Sequence, residues 1–164
     1  MRTSLTPHPL TPETFAPYGQ VLSPEPDGKP FDRTDAQLDL SQGTPRFYLM
    51  QLQERGLQFS RITRHQHCTQ CLGAIGGQTW YLAVAPPSAD PQPDPESIRA
   101  FCIAGPCFIK LHKGTWHAGP YFEPANLTFY NLELSDTNLV DHTTHDFGQA
   151  TPGLEFVIEL SASF

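Results

Sequence analysis

From position 46 onward, apolar and polar residues alternate with a period of two, the signature of half-buried strands. Stretches 46–52 and 57–63 both alternate, and Glu54-Arg55-Gly56 between them predicts a hairpin. In the second stretch Leu57, Phe59, Arg61 and Thr63 share one face, and Ser60, Ile62 and Arg64 the other. Further strands are predicted over 78–84, 98–103, 107–111, 126–134 and 154–160, with turns at Gly76-Gly77 and Ala104-Gly105-Pro106. Along 126–134, Leu127, Phe129, Asn131 and Glu133 lie on one face, opposite Thr128, Tyr130, Leu132 and Leu134.

Before position 46 the pattern is weaker. Residues 1–10 read as a leading arm. Thr11 as N-cap, Pro12 in the first turn and Glu13 predict a short helix, which Pro17 stops. Residues 19–22 form a short strand. Residues 23–45 carry no sustained period and read as a long loop that covers a site or stays loosely ordered. The stretch 86–95 is a Pro/Asp surface loop, and 135–153 a polar loop bearing His142 and His145. About eight or nine short strands, one short helix and no βαβ alternation predict a single all-β domain over 1–164, a sandwich or small barrel.

Composition narrows this picture. The chain has 164 residues, enough for one core without staples. A net charge of −7, with no basic run, argues against nucleic acid and anionic membrane surfaces as partners. No apolar run approaches the ~20 residues of a membrane helix, and the N-terminus lacks the apolar core of an export signal, so a cytoplasmic protein is expected. The cysteines Cys68, Cys71, Cys102 and Cys107 then read as reduced thiols, with the Cys68-x-x-Cys71 spacing leaving a zinc knuckle as the alternative.

Two stretches carry candidate chemistry. In 108–122, His112, Trp116 and His117 gather around a turn at Lys113-Gly114; in 64–71, His65 and His67 follow Arg64. Two imidazoles beside a Trp suit a small-molecule site. If extended, His65-x-His67 places both rings on one side, and His117 follows about fifty residues later. This resembles the paired cupin motifs, which hold a metal inside a jelly-roll barrel. The acid such a motif carries is missing: Gln70, Cys71 and Leu72 stand there. A divalent ion on His65, His67 and His117 therefore stands beside a metal-free pocket that uses the same rings for substrate.

The order of motifs resembles the ureidoglycolate lyase family. The likeness rests on Leu10-Thr-Pro-Glu-Thr-Phe-Ala-Pro-Tyr-Gly19, Arg64-His65 with Thr69-Gln70, Ser97-Ile98-Arg99-Ala100-Phe101, and His112-Lys113-Gly114-Thr115-Trp116-His117. Thr63 stands where the family usually has Glu, and Ala118 where it usually has a second His. The stretch 138–147 resembles a plant and cyanobacterial branch. The resemblance implies a cupin-like double-stranded β-helix (jelly-roll) fold, a homodimer, and release of urea from (S)-ureidoglycolate to leave glyoxylate; no required cofactor is expected, with a divalent metal as the alternative.

That reaction needs a base for the carbinol hydroxyl, an acid for the leaving urea and a donor for the carboxylate. His112 and His117 are the expected acid–base pair. His65 and Gln70 are expected to orient substrate, with Arg64, Lys110 and Trp116 completing the pocket, and Arg99 as a further cation. Two other classes compete: a non-catalytic carboxylate-binding module, and a metal-dependent cupin enzyme.

Overall fold

The computed structural model describes residues 1–160. Among them the chain forms fourteen strands: β1 (Arg2–Leu5), β2 (His8–Pro9), β3 (Gly19–Leu22), β4 (Pro45–Gln53), β5 (Gln58–Phe59), β6 (Arg61–Arg64), β7 (Gln70–Ala74), β8 (Trp80–Ala85), β9 (Arg99–Ile103), β10 (Phe108–Leu111), β11 (Trp116–Tyr121), β12 (Asn126–Leu134), β13 (Thr143–Asp146) and β14 (Glu155–Ile158). The short helices are α1 (Pro12–Phe15), α2 (Thr137–Val140) and α3 (Phe147–Ala150). The all-β class and the short N-terminal helix stand as expected. Thr11 caps α1 with a reciprocal capping box through Thr14, and Pro12 fills the first turn, where a missing N–H costs nothing.

The sheets run β3-β10-β7-β12-β4, β13-β6-β11-β8-β9-β2 and β1-β14-β5. They form a β-sandwich rather than a closed barrel. The five- and six-stranded sheets face each other over one core, which includes Leu72, Trp80, Leu82, Val84, Phe101, Ile109 and Phe129. The other face of the six-stranded sheet packs on the three-stranded sheet through Phe59, Ile62, Trp116, Phe147 and Phe156. Strand β12 fixes the geometry: it pairs with β4 along its whole length and with β7 on its other edge.

Three expectations are corrected. The hairpin across Glu54-Arg55-Gly56 does not form, because β4 pairs with β12 while β5 pairs with β14 in another sheet. The leading arm 1–10, in which no strand is predicted, carries two: β1 runs parallel to β14, and β2 parallel to β9. The 135–153 loop contains α2, β13 and α3, and β13 extends the six-stranded sheet by pairing with β6. Residues 23–44 carry no strand or helix, as expected, yet they are tied down. Gln20 donates to the Arg33 and Asp35 carbonyls and accepts from the Gln37 amide, and Lys113 pairs with Asp39.

On the outer face of the five-stranded sheet the Phe108 ring lies over Gly73, where an added Cβ would meet its Cγ at 2.6 Å. Phe108 also stacks on Tyr130 at 5.6 Å. Gly73→Ala should therefore destabilise by overpacking, about 1–3 kcal/mol, or roughly 2–10 °C in Tm for a chain of this length. Phe108→Leu in the same chain should recover most of that loss. Thermal unfolding of the single and double variants checks this, and additive losses would contradict it.

Candidate active site

Three neighbouring strands turn polar at the same level of the inter-sheet face. Along β12 that face reads Leu127, Phe129, Asn131, Glu133; Asn131 is paired with Tyr48 on β4 and Leu72 on β7, and Glu133 sits beyond it near Gln70. The apolar half of each strand feeds the core. The polar half closes a network in which Gln70 Nε2 donates to Asn131 Oδ1 (3.1 Å) and Glu133 Oε2 (2.9 Å). Asn131 Nδ2 donates to Tyr48 Oη (3.0 Å), and Tyr48 Oη to Glu133 Oε1 (3.3 Å). Gln70, Asn131 and Glu133 are all buried.

The histidines face this network from the six-stranded sheet. His117 pairs with Val84 and Thr63 in the ladder and points into the inter-sheet space. Its ring centroid lies 5.1 Å from that of His65, and His142 lies 5.6 Å from His65 on the other side. The two histidine stretches are also joined through the backbone, since the Gly114 amide donates to the His65 carbonyl at 2.6 Å. Gly114 takes φ +82 in this turn, a conformation that favours glycine.

Asp141 sets the pose of His65. Its two carboxyl oxygens accept from the Gln66 and His67 amides, each at 2.7 Å, and its backbone carbonyl meets His65 Nδ1. A carbonyl can only accept, so Nδ1 carries the hydrogen and Nε2 presents a lone pair. His117 Nδ1 likewise meets the Thr115 carbonyl at 3.3 Å, which leaves its Nε2 as an acceptor. Burial, then the neighbouring His65, push His117 down to about 3. Burial also lowers His65, but the Asp141 carbonyl and side chain work against that and favour its charged form. The site thus holds two neutral bases at neutral pH, of which His65 is the readier to take a proton.

A cavity of about 160 Å³ lies between the network and the imidazoles, lined by Gln70, Asn131, Glu133, His65, His117, His142, Tyr48 and Arg55 among others. A cleft of about 470 Å³ adjoins it, sharing Arg55, His117 and His142. Arg55 is exposed at the junction, with its guanidinium 5.2 Å from the centre of the Tyr121 ring.

Of the residues expected from sequence, His65, Gln70 and His117 are brought together. His112 borders a narrow space beside them, but both its ring nitrogens are engaged: Nδ1 with Lys110 Nζ at 3.0 Å and Nε2 with the Ala16 carbonyl at 3.2 Å. Lys110 projects from the opposite face of its sheet, beside Cys71. Arg64 also turns away. Its guanidinium stacks on Trp116 at 4.4 Å and holds the Ser88 and Asp90 carbonyls, and Trp116 lies in the core behind the six-stranded sheet. Arg99 is exposed and donates to the Glu96 and Ile98 carbonyls. Residues 65–69 bend instead of extending, so His67 does not share a face with His65 and is exposed. Among the described residues no three His, Cys, Asp or Glu side chains are grouped to hold a metal ion, so the set His65, His67, His117 does not fit one.

Sequence reasoning missed Tyr48, Arg55, Asn131, Glu133 and His142 as a group. The alternation along β12 already put Asn131 and Glu133 on one face with Leu127 and Phe129. The signal was an acid and an amide following two core residues at a spacing of two.

The ureidoglycolate lyase family model matches residues 2–145. The chain is 30% identical to a ureidoglycolate lyase of Pseudomonas fluorescens over 136 residues, 71% of this chain and 75% of that one. It is 25% identical to a ureidoglycolate lyase of Azotobacter vinelandii over 121 residues, 66% of this chain and 72% of that one. Among solved structures, oxalate decarboxylase from Bacillus subtilis superposes with a TM-score of 0.42 at 12% identity, over 66% of this chain and 25% of that one.

Asp141→Asn turns an NH₂ toward one of the two backbone amides it now serves, leaving a part-buried donor without its acceptor. The expected cost is about 1–3 kcal/mol, read as a lower denaturation midpoint. The His65 imidazole resonances should shift with it, and an unchanged His65 signal would contradict the clamp.

Proposed function

The chain belongs to the ureidoglycolate lyase family, and from that premise we propose that it releases urea from ureidoglycolate and leaves glyoxylate, with His65 and His117 as the working pair. The observation that carries this reading is the pair of imidazoles 5.1 Å apart beside a small polar cavity, both with Nε2 lone pairs free. His65 Nε2 takes the proton of the carbinol hydroxyl. The O–H electrons form the new C=O bond, and the C–N electrons leave with the ureido nitrogen. That nitrogen collects the proton from the His65 imidazolium, so none is consumed overall. His117 holds the substrate nitrogen against His65 by accepting one of its N–H groups. The Asp141 carbonyl stabilises the imidazolium while it lasts. These steps use only groups of the chain itself, and the reading assigns no cofactor.

This moves the acid–base work from His112 to His65. Since Lys110 and Ala16 occupy both nitrogens of His112, its role is to brace the turn that carries His117. General acid–base groups contribute typically 10²–10⁴-fold. His65→Gln should therefore lower kcat by about that factor, with His117→Asn next. His112→Asn should keep kcat within a few-fold while lowering Tm. Urea release from purified variants reads this, and a His112 loss equal to that of His65 would overturn the assignment. The pH profile gives a second reading. The base works unprotonated and its pKa is lowered by burial, so kcat/KM should be full at neutral pH and fall only below the ordinary imidazole range near 6.5. An acid limb at or above that value contradicts a buried imidazole base.

We further propose that the protein acts in the cytoplasm as a homodimer. The exposed aromatic and aliphatic row on the five-stranded sheet supports the second point: Phe47 is 65% and Leu49 58% exposed, and Phe47 stacks on Tyr130. The double change Phe47→Asp, Leu49→Asp should convert the dimer to a monomer in sedimentation equilibrium. An unchanged mass would place the interface elsewhere.

A further inference from the structure

Gln70 is only 7% exposed, and its Oε1 atom has no hydrogen-bond partner. Its orientation is not arbitrary. Reversing the amide would turn an oxygen toward the Glu133 carboxyl, acceptor against acceptor, so Glu133 holds Nε2 inward and Oε1 free. Glu133 is 1% exposed, and among the described residues its partners are the neutral donors Gln70 and Tyr48, with no ion pair. A buried acceptor without a donor normally costs about 1–3 kcal/mol. Here the residue that carries this acceptor and a buried carboxyl-bearing residue, Gln70 and Glu133, line the same small cavity as His117. Such a wall is short of donors. The other end is different in kind: Arg55 stands at the mouth, with no carboxyl partner among the described residues.

Building on the lyase reading, we propose that this polarity orients the substrate. Gln70 Oε1 and Glu133 form a ureido subsite that accepts the N–H groups of the urea moiety, and Arg55 anchors the carboxylate at the mouth. The terminal NH₂ of the ureido group offers two N–H donors to these acceptor oxygens, and the single N–H on the leaving nitrogen stays with His117. With its two ends so fixed, the carbinol carbon lies between them, beside the imidazoles. Gln70 and Glu133 then select for a ureido group, and Arg55 selects for a carboxylate.

The two halves can be probed separately by NMR titration of the labelled protein with urea and with glycolate. Glu133→Gln should raise the Kd for urea at least tenfold and leave that for glycolate within twofold; Arg55→Gln should do the reverse. Gln70→Met, which removes the free oxygen by a different route, should repeat the Glu133 result and serves if Glu133→Gln does not fold. Urea affinity unchanged in these variants, or both probes weakened alike, overturns the subsite. Turnover of ureidoglycolate by the wild-type protein is measured alongside. Urea binding that depends on Glu133 without any turnover would remove the lyase reading and keep the acceptor pocket. Turnover with urea binding indifferent to both variants would do the opposite.

Discussion

The site depends on one long-range clamp. Asp141, in the segment between α2 and β13, takes the amides of Gln66 and His67 on its carboxyl oxygens and His65 Nδ1 on its backbone carbonyl. These residues are some 75 positions apart in sequence. Nothing in the turn 65–69 is regular, so its amides have no ladder to join and need an outside acceptor. One side chain satisfies both, and the same residue's carbonyl fixes the tautomer of the base. From the other side, the Gly114 amide holds the His65 carbonyl. The turn is thus pinned between the C-terminal segment and the turn that carries His117, and the 5.1 Å approach of the two rings follows from that.

The sandwich pays for such a site by confining it. Apolar burial between the two large sheets is continuous through Phe129, Ile109 and Leu82, and the change to polar residues comes at one level across β4, β7 and β12. Polar groups placed there singly would each be unsatisfied. Placed together, Tyr48, Gln70, Asn131 and Glu133 satisfy one another except at Gln70 Oε1. A network closed at all points but one is rigid, and the residue with the free valence, Gln70, is one that lines the cavity.

Much of this was legible in the sequence because alternation is a local property. Strand β12 matches its predicted span, and the two histidine stretches do meet. The errors have local causes too. Between Phe59 and Ile62 the chain bends at Ser60, whose carbonyl accepts from the Phe147 amide. The bend shifts the phase by one, so Ile62 and Arg64 join Phe59 behind the sheet and Thr63 faces His117. No propensity marks a one-residue bend. The 135–153 segment read as a polar loop because β13 is a polar strand at a sheet edge, so neither the clamp of Asp141 nor the proximity of His142 had a hydrophobic signal to announce it.

Lys110 shows the limit of alternation from the other direction. It is expected in the pocket, but it meets His112 at 3.0 Å on the outer face of the sheet, opposite the core residues Ile109 and Leu111. A period of two separates two faces without saying which is the lumen. What separates His112 from His117 is the turn between them. Gly114 takes a positive φ there, and the Thr115 amide closes the turn on the His112 carbonyl. His112 is held outward by a buried ammonium group and a helix-end carbonyl, and only His117 enters the cavity. Two histidines five residues apart thus sit differently, one tied into the turn and one lining the cavity. The partner of the second must come from another stretch, and the Asp141 clamp brings His65 to that place.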